Sequence, residues 1–432
     1  MSHFYHFDTL SLHAGQTVDS EFGARAAPIY QTTSYVFPDT DTAASIFNLE
    51  RGGHAYSRIT NPTVGVLEQR ITALEGGSAS VCTASGMAAT YCAITAILGQ
   101  GDHIVASSQM YGGNLSLMKN TLPRFGITAT FVDPTDIDGF QAAIQDNTRL
   151  VYGELIGNPG LDILDLEALA KICDNNHIPF MVDATFNTPY LCRCFDYGVN
   201  INIHSVTKWM GGHGTAIGGV IVDGGNFDWG ATDKYPTITD PYAPFSGISF
   251  WEEFGPSAFA TRIRAEAMRD IGATLSPQNA FLLLLGLETL SLRMDKHMSN
   301  TCEMLKFLSE HQQVSWVNHP DLASHTSHEM AKKYLPKGAG SIVSFGVEGG
   351  RDAGKAFIEN VQLASHLANV GDAKTLIIHP ATTTHSRIDA DALVAAGITE
   401  DMIRLSVGLE FVDDIKADFE IGFRAAKKFS NA

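Results

Sequence analysis

From residue 62 onward the chain alternates between two hydrophobic patterns. Short apolar runs, SASVCT, DHIVAS, TATFVD, RLVYGEL, PFMVDATF, INIHSV and GGVIVD, read as buried strands. Segments with apolar residues three and four apart, VGVLEQRITALEG, GMAATYCAITAILG, GNLSLMKNTL, DIDGFQAAIQ and DLEALAKICDNN, read as helices between them. Strand–helix alternation with strands apolar on both faces predicts an α/β fold, with a mostly parallel sheet covered by helices. Ligands of such sheets sit at the carboxyl ends of the strands.

The flanking regions differ. Residues 1–62 are rich in turn formers and polar residues and hold no core of their own, so they are expected to form an arm that packs on something else. Residues 225–260, rich in Pro, Gly and aromatics, read as a long functional loop or lid. A helical stretch after residue 260 leads into a smaller α+β unit. The expected division is therefore an arm at 1–62, a large domain at 63–268 and a small domain at 269–432. The apolar run NAFLLLLGLETL is too short to span a bilayer and reads as a buried helix.

Charge and cysteine content narrow the classes. A net charge of −18 argues against nucleic acid and anionic membranes as partners. The start, MSHFYHFDTLSLHAG, shows no secretory pattern, so the expectation is a cytoplasmic protein. Six scattered cysteines in a chain of 432 residues argue for buried thiols rather than a disulfide framework, and the Cys192–Cys194 pair alone is weak evidence for metal. No metal site is expected.

Candidate chemistry gathers at strand ends. Lys208, in HSVTKWMGGHG, lies on a turn after a buried strand, with Ser205 and Thr207 beside it: a solvated charge or a reagent. Asp183 ends the strand FMVD, where a carboxylate is costly unless paired or hydrogen-bonded; it either caps the next helix or meets a buried cation. Ser85, Gly86 and the Met87 amide open a helix, as a simple cap or as a phosphate seat. Tyr111, beside two glycines, either packs or stacks on a flat ligand. Asn158 is a turn former or a polar contact. Tyr56 and Arg58 stand in the arm, and Arg suits phosphate. Arg404, on the apolar strand IRLSV, needs an anion, from a substrate carboxylate or from a structural acid.

Each signal alone has a bland reading; together they describe one ligand, pyridoxal 5′-phosphate (PLP). Its aldehyde meets Lys208, its ring nitrogen Asp183, its ring Tyr111, and its phosphate Ser85, Gly86, Met87, Ser205, Thr207 and Arg58. A nicotinamide-dependent dehydrogenase is disfavoured, because no GxGxxG follows a strand. A silent scaffold would be expected to lose Lys208, Asp183 or Arg404, and all three are present.

From HAGQ at residue 13 to Glu410, the chain resembles the Cys/Met-metabolism family of fold-type-I PLP enzymes. The resemblance is carried by YSRITNPT (Tyr56–Thr63), SGMAA, VDATF and HSVTKWMGGH. It implies a seven-stranded type of sheet, a Schiff base on Lys208, Asp183 at the pyridine nitrogen, Tyr111 on the ring and Asn158 near the ring hydroxyl. It implies that Tyr56 and Arg58 reach the cofactor of a neighbouring subunit, that Arg404 holds the substrate carboxylate, and that the assembly is a tetramer of two dimers. Within the family the chain is most similar to the sulfhydrylases that use O-acetylhomoserine, through GARAAPIYQTTSYVFPDT and LANVGDAKTLIIHPATTTHSR; Asn369 in the latter is a further candidate substrate contact. The implied reaction is γ-replacement, giving homocysteine and acetate, with Tyr56 or Tyr111 assisting proton transfer. Cystathionine γ-synthase or γ-lyase activity is the alternative. Two stretches depart from the sulfhydrylase pattern: Phe245-Ser246-Gly247 replaces a common Tyr-His-Gly, and His319-Pro320-Asp321-Leu322 a Tyr-Pro-Gly-Leu.

Overall fold

The computed structural model describes residues 5–383 and 398–429. The His385-Ser386-Arg387 end of the resemblance stretch lies outside them.

The apolar runs form one seven-stranded sheet from β1 (Ala79–Thr83), β2 (His103–Ser107), β3 (Thr128–Val132), β4 (Thr148–Glu154), β5 (Phe180–Asp183), β6 (Ile201–His204) and β7 (Gly219–Asp223). The strand order is β1-β7-β6-β5-β4-β2-β3. β7 runs antiparallel to both its neighbours, and the other pairs are parallel. Alternate residues serve opposite faces: Val182 and Phe180 enter one core and Met181 the other, which is why these strands read as continuous apolar runs.

Helix boundaries follow local chemistry. Helix Pro62–Glu75 opens with the Asn61 side chain accepting from Thr63 N and Val64 N, has Pro62 in its first turn, and stops at Gly76 in the left-handed region (φ 77°). Helix Gly86–Ile97 is capped by Ser85, whose side chain accepts from Ala88 N. Residues 113–122 (GNLSLMKNTL) are expected as a helix; the turn instead widens to a π-helical segment at Leu117–Thr121.

A second sheet holds β8 (Val314–Asn318), β9 (Ile342–Val347), β10 (Ser365–His366), β11 (Leu376–Ile378) and β12 (Met402–Ser406), in the order β10-β11-β12-β9-β8. Helices Gly350–Asn360 and Val412–Ala426 cover it around Phe345, Phe357, Phe419 and Phe423. The 21-residue helix Leu290–Glu310 runs between the two sheets' territories. No helix among the described residues is long and apolar enough to cross a membrane.

Residues 225–260 are not a lid over this chain's cavity. Trp229, Tyr235, Ile238, Phe250 and Phe259 are buried in the core on one face of the large sheet, and none of the segment lines the cavity described below. Their aromatic content signals packing, with Trp229 stacked on Phe259 at 5.5 Å. The arm behaves differently. Val36 is 100% and Phe22 85% exposed.

Candidate active site

A cavity of about 270 Å³ opens at the carboxyl ends of β4, β5 and β6. Ser85, Gly86, Met87, Tyr111, Asn158, Asp183, Ser205, Thr207, Lys208, Asn369 and Arg404, eleven residues scattered over more than three hundred positions, all line it. Tyr56 and Arg58 do not. In this chain the Arg58 guanidinium donates to the carbonyl of Arg269, and the Tyr56 ring is 43% exposed.

Asp183 reaches the cavity because β5 ends there. One carboxylate oxygen accepts from Thr185 N (3.0 Å) and Thr185 Oγ1 (2.5 Å); the other accepts from Asn114 Nδ2 (3.4 Å). Burial pushes its pKa above the ordinary value, and the Thr185 hydrogen bonds oppose that. Among the described residues no Lys or Arg pairs with it. Behind β6, on the sheet's other face, His204 Nε2 stands 2.5 Å from Glu75 Oε1, both wholly buried. The approach is not an aligned hydrogen bond, since neither atom has a partner in hydrogen-bond geometry.

Lys208 sits on a turn early in the connection between β6 and β7, residues 205–218. Its Nζ donates to Asn369 Oδ1. Burial lowers its pKa from 10.5, and the Arg404 charge lowers it further, so the neutral amine is closer to reach than in a free lysine. Close packing explains the glycines around it. A Cβ on Gly212 would stand 2.1 Å from Arg293 Nη1, and one on Gly211 2.8 Å from the Val206 carbonyl. Arg404 comes from β12, in the second sheet, and burial works against its charge as well.

Ser85 caps its helix and lines the cavity at once, so the two readings of that serine coexist. A Cβ on Gly86 would meet Ser205 Cβ at 2.7 Å; only glycine lets the helix N-terminus approach the Lys208 turn. The Thr207 hydroxyl already donates to the Gly218 carbonyl at 3.1 Å, so an incoming phosphate competes for that proton.

Glu154 is the residue sequence reasoning missed. Strand pairing puts it opposite Asp183, and it accepts from Tyr111 N at 2.6 Å and from Asn114. Burial, then the Asp183 carboxylate, push its pKa well up. Its only trace in sequence is a Glu ending the apolar run RLVYGEL.

The donor set fits PLP. Free helix amides and hydroxyls stand at one end for a phosphate. An uncompensated carboxylate faces in from the floor for a protonated ring nitrogen. An aromatic ring forms a wall, and a depressed-pKa amine is placed for an aldehyde.

Comparisons with known proteins agree. The family model described as "Cys/Met metabolism PLP-dependent enzyme" matches residues 8–424. A homocysteine synthase of Schizosaccharomyces pombe is 49% identical over 96% of this chain and 97% of its own length. An O-acetyl-L-homoserine sulfhydrylase of Leptospira meyeri is 45% identical over 96% of this chain and 95% of its own. The crystal structure of a putative O-acetylhomoserine (thiol)-lyase from Campylobacter jejuni, which carries a pyridoxyl-lysine phosphate, superposes with a TM-score of 0.94 at 38% identity, covering 97% of this chain and all of that one. A cystathionine gamma-lyase from Lactobacillus plantarum superposes at 0.84 with 31% identity, over 98% of this chain and all of that one. With the family model spanning nearly the whole chain and these relatives matching end to end, this protein belongs to the Cys/Met-metabolism family of PLP-dependent enzymes.

Proposed function

We propose that this enzyme converts O-acetyl-L-homoserine and sulfide to L-homocysteine and acetate. The observation that carries the reading is a single cavity holding Lys208, Asp183 and Arg404, each brought from a different strand end or sheet. Among the described residues, Lys208 and Arg404 are the only cations lining it. Once both are engaged, an anionic acyl group has no cationic partner among the described residues lining the cavity, whereas a neutral acetyl ester needs none. The relatives' names point the same way.

When bound, the cofactor supplies an electron sink for charge that develops at the substrate Cα. Asp183 accepts from the ring nitrogen and keeps its proton in place, which is what makes that sink effective. Arg404 holds the substrate carboxylate and so fixes which Cα bond faces Lys208. Lys208 Nζ, which carries one abstracted proton at a time, removes the Cα proton, gives it up, and in its neutral form again removes a Cβ proton. Acetate leaves Cγ, hydrosulfide forms the new C–S bond there, and Lys208 returns the protons. Asn369, bonded to Lys208 Nζ, orients the amine between these steps. Tyr111 covers the ring face and is well placed beside Arg404 to assist proton transfer, its loop fixed by Glu154. Gly86, Met87, Ser85 and Ser205 hold phosphate, with Thr207 sharing its proton, and Asn158 stands on the hydroxyl side of the ring.

Tyr56 and Arg58 serve the site of a neighbouring copy, in a tetramer made of two such dimers. Their absence from this chain's own cavity and the exposed apolar arm support that reading. The arm is residues 1–62, the cofactor-holding unit 63–268 and the carboxylate-holding unit 269–432. Free cysteines, five of them buried, suit a reducing compartment such as the cytoplasm.

The test is a competition assay: purified enzyme with O-acetylhomoserine, sulfide and cysteine together, products identified by mass spectrometry. Homocysteine as the main product supports the reading. Cystathionine, or 2-oxobutanoate from γ-elimination, overturns it.

A further inference from the structure

Lys208 and Arg404 act on one substrate from different sheets, so something must fix the distance between them. Among the buried polar side chains of the helix Leu290–Glu310, Arg293, His297 and Asn300 are spaced four and then three apart. That spacing puts them along one helix face, over about 10 Å of its length.

At one end, Arg293 donates to the carbonyls of Trp209 (2.6 Å) and Met210 (3.1 Å), the two residues after Lys208, and to Gly286 (2.7 Å). At the other end, His297 Nδ1 donates to the carbonyl of Val407 (2.7 Å), and Asn300 Nδ2 to those of Gly408 and Glu410 (2.9 Å each). Those carbonyls directly follow β12, three to six residues beyond Arg404. Arg293 Nε also donates to Thr289 Oγ1 at the start of its own helix (3.4 Å), but every acceptor on the two segments is backbone, so the helix reads their path rather than their side chains.

Arg293 is an unusual choice for a mere packing contact. Its side chain is buried and, among the described residues, pairs with no carboxylate; burial alone pulls its pKa down to about 10. Its charge is balanced by carbonyl dipoles, one of them in the last turn of helix Pro277–Glu288, at its negative end. Such a cation is costly to bury, and the planar fork ties down two successive carbonyls of the Lys208 turn as no neutral side chain does.

The geometry points to Arg293, His297 and Asn300 as positioning residues: one helix face that sets the separation between the Lys208 amine and the Arg404 guanidinium, and thereby the preference for amines that carry an α-carboxylate. The inference rests on the assignment of Lys208 and Arg404 to amine and carboxylate. It goes beyond that assignment by placing selectivity in residues that touch no substrate.

The test compares a ligand that uses both anchors with one that uses a single anchor. L-Norvaline and butylamine differ only by the carboxylate, and neither has a leaving group. Each is titrated into the holoenzyme, with binding read from the absorbance of the cofactor imine. In Arg293→Lys, and independently in Asn300→Ser at the far end, norvaline is expected to bind about tenfold more weakly while butylamine binds unchanged. Asn300→Ser carries the test alone if Arg293→Lys does not fold. Equal weakening of both ligands, or of neither, overturns the inference. Arg404→Gln separates the two levels. If it abolishes the norvaline preference while the helix variants keep it, only the inference falls; if it too keeps the preference, the assignment of Arg404 falls and the inference with it.

Discussion

Asp183 and Asp223 end two strands of the same sheet, yet at opposite ends of it, because β7 runs against its neighbours. Burial raises the pKa of both. Asp223 is 3% exposed and sealed by the amides of Gly225 (2.9 Å) and Ala260 (3.1 Å), where it pins the start of the helix Ala258–Ile263. Asp183 has one oxygen held by Thr185 and its other turned toward a cavity with an amine across it. Burial and a perturbed acid are common to both. What distinguishes a working carboxylate is unspent hydrogen-bonding capacity facing open volume.

The widest separation is expected in turnover. Asp183→Asn should lower kcat/KM by roughly a thousandfold, because the ring nitrogen loses its charged partner, while Asp223→Asn should stay within about twofold. Steady-state kinetics on the two variants checks this, and a thousandfold loss in Asp223→Asn would break the contrast. Stability should order them the other way. An asparagine at 223 can turn only one oxygen to two amides, so denaturant unfolding at pH 8 should show a loss of about 1–3 kcal/mol there, and less at 183.

The third expectation concerns pH. The folded pKa of Asp223, about 7, lies above its ordinary 3.8, so between those values the folded chain holds the extra proton. The stability tied to that proton is whole below pH 3.8 and is lost as pH rises through about 7. Wild type should therefore lose up to a few kcal/mol relative to Asp223→Asn across pH 4–7, read from paired unfolding curves. A flat difference would show that Asp223 stays ionised. The smallest effect should be at Glu154. Burial and the Asp183 carboxylate push its pKa well up, towards the neutral form that glutamine copies. Glu154→Gln should leave kcat within about threefold, whereas Glu154→Leu, which strands the Tyr111 amide, should cost about 1–3 kcal/mol in stability.

The large sheet was legible because strands buried on both faces announce themselves as apolar runs; all seven are where those runs stand. The direction of β7 was not, since GGVIVD reads the same either way. Eleven of the thirteen candidate residues meet in one cavity, most of them because they stand at a strand end or a glycine-bearing turn that sequence displays; Arg404 comes from the middle of β12. Tyr56 and Arg58 stay outside it in this chain. Glu154 and Arg293 were not singled out for a shared reason. A Glu at a strand end and an Arg in an amphipathic helix look like solvated charges until strand pairing or helix packing buries them. The aromatic segment 225–260 misled in the opposite sense, its Pro and Gly suggesting a lid while its rings were filling a core.

The place of β7 has a consequence for how the enzyme is made. The cavity-lining turn at Ser85–Met87 follows β1, and the Lys208 turn precedes β7; the two are brought together by the β1–β7 pairing, whose partners Ala79 and Asp223 are about 140 residues apart in the chain. β6 and β7 pair across the connection 205–218, far shorter than the stretch between β1 and β7, and β1 must wait for that pair to exist before it can join the sheet. The cofactor pocket is thus completed by a contact of very long loop closure, late in assembly. On refolding, far-ultraviolet signal should recover well before the protein regains its capacity to take up cofactor.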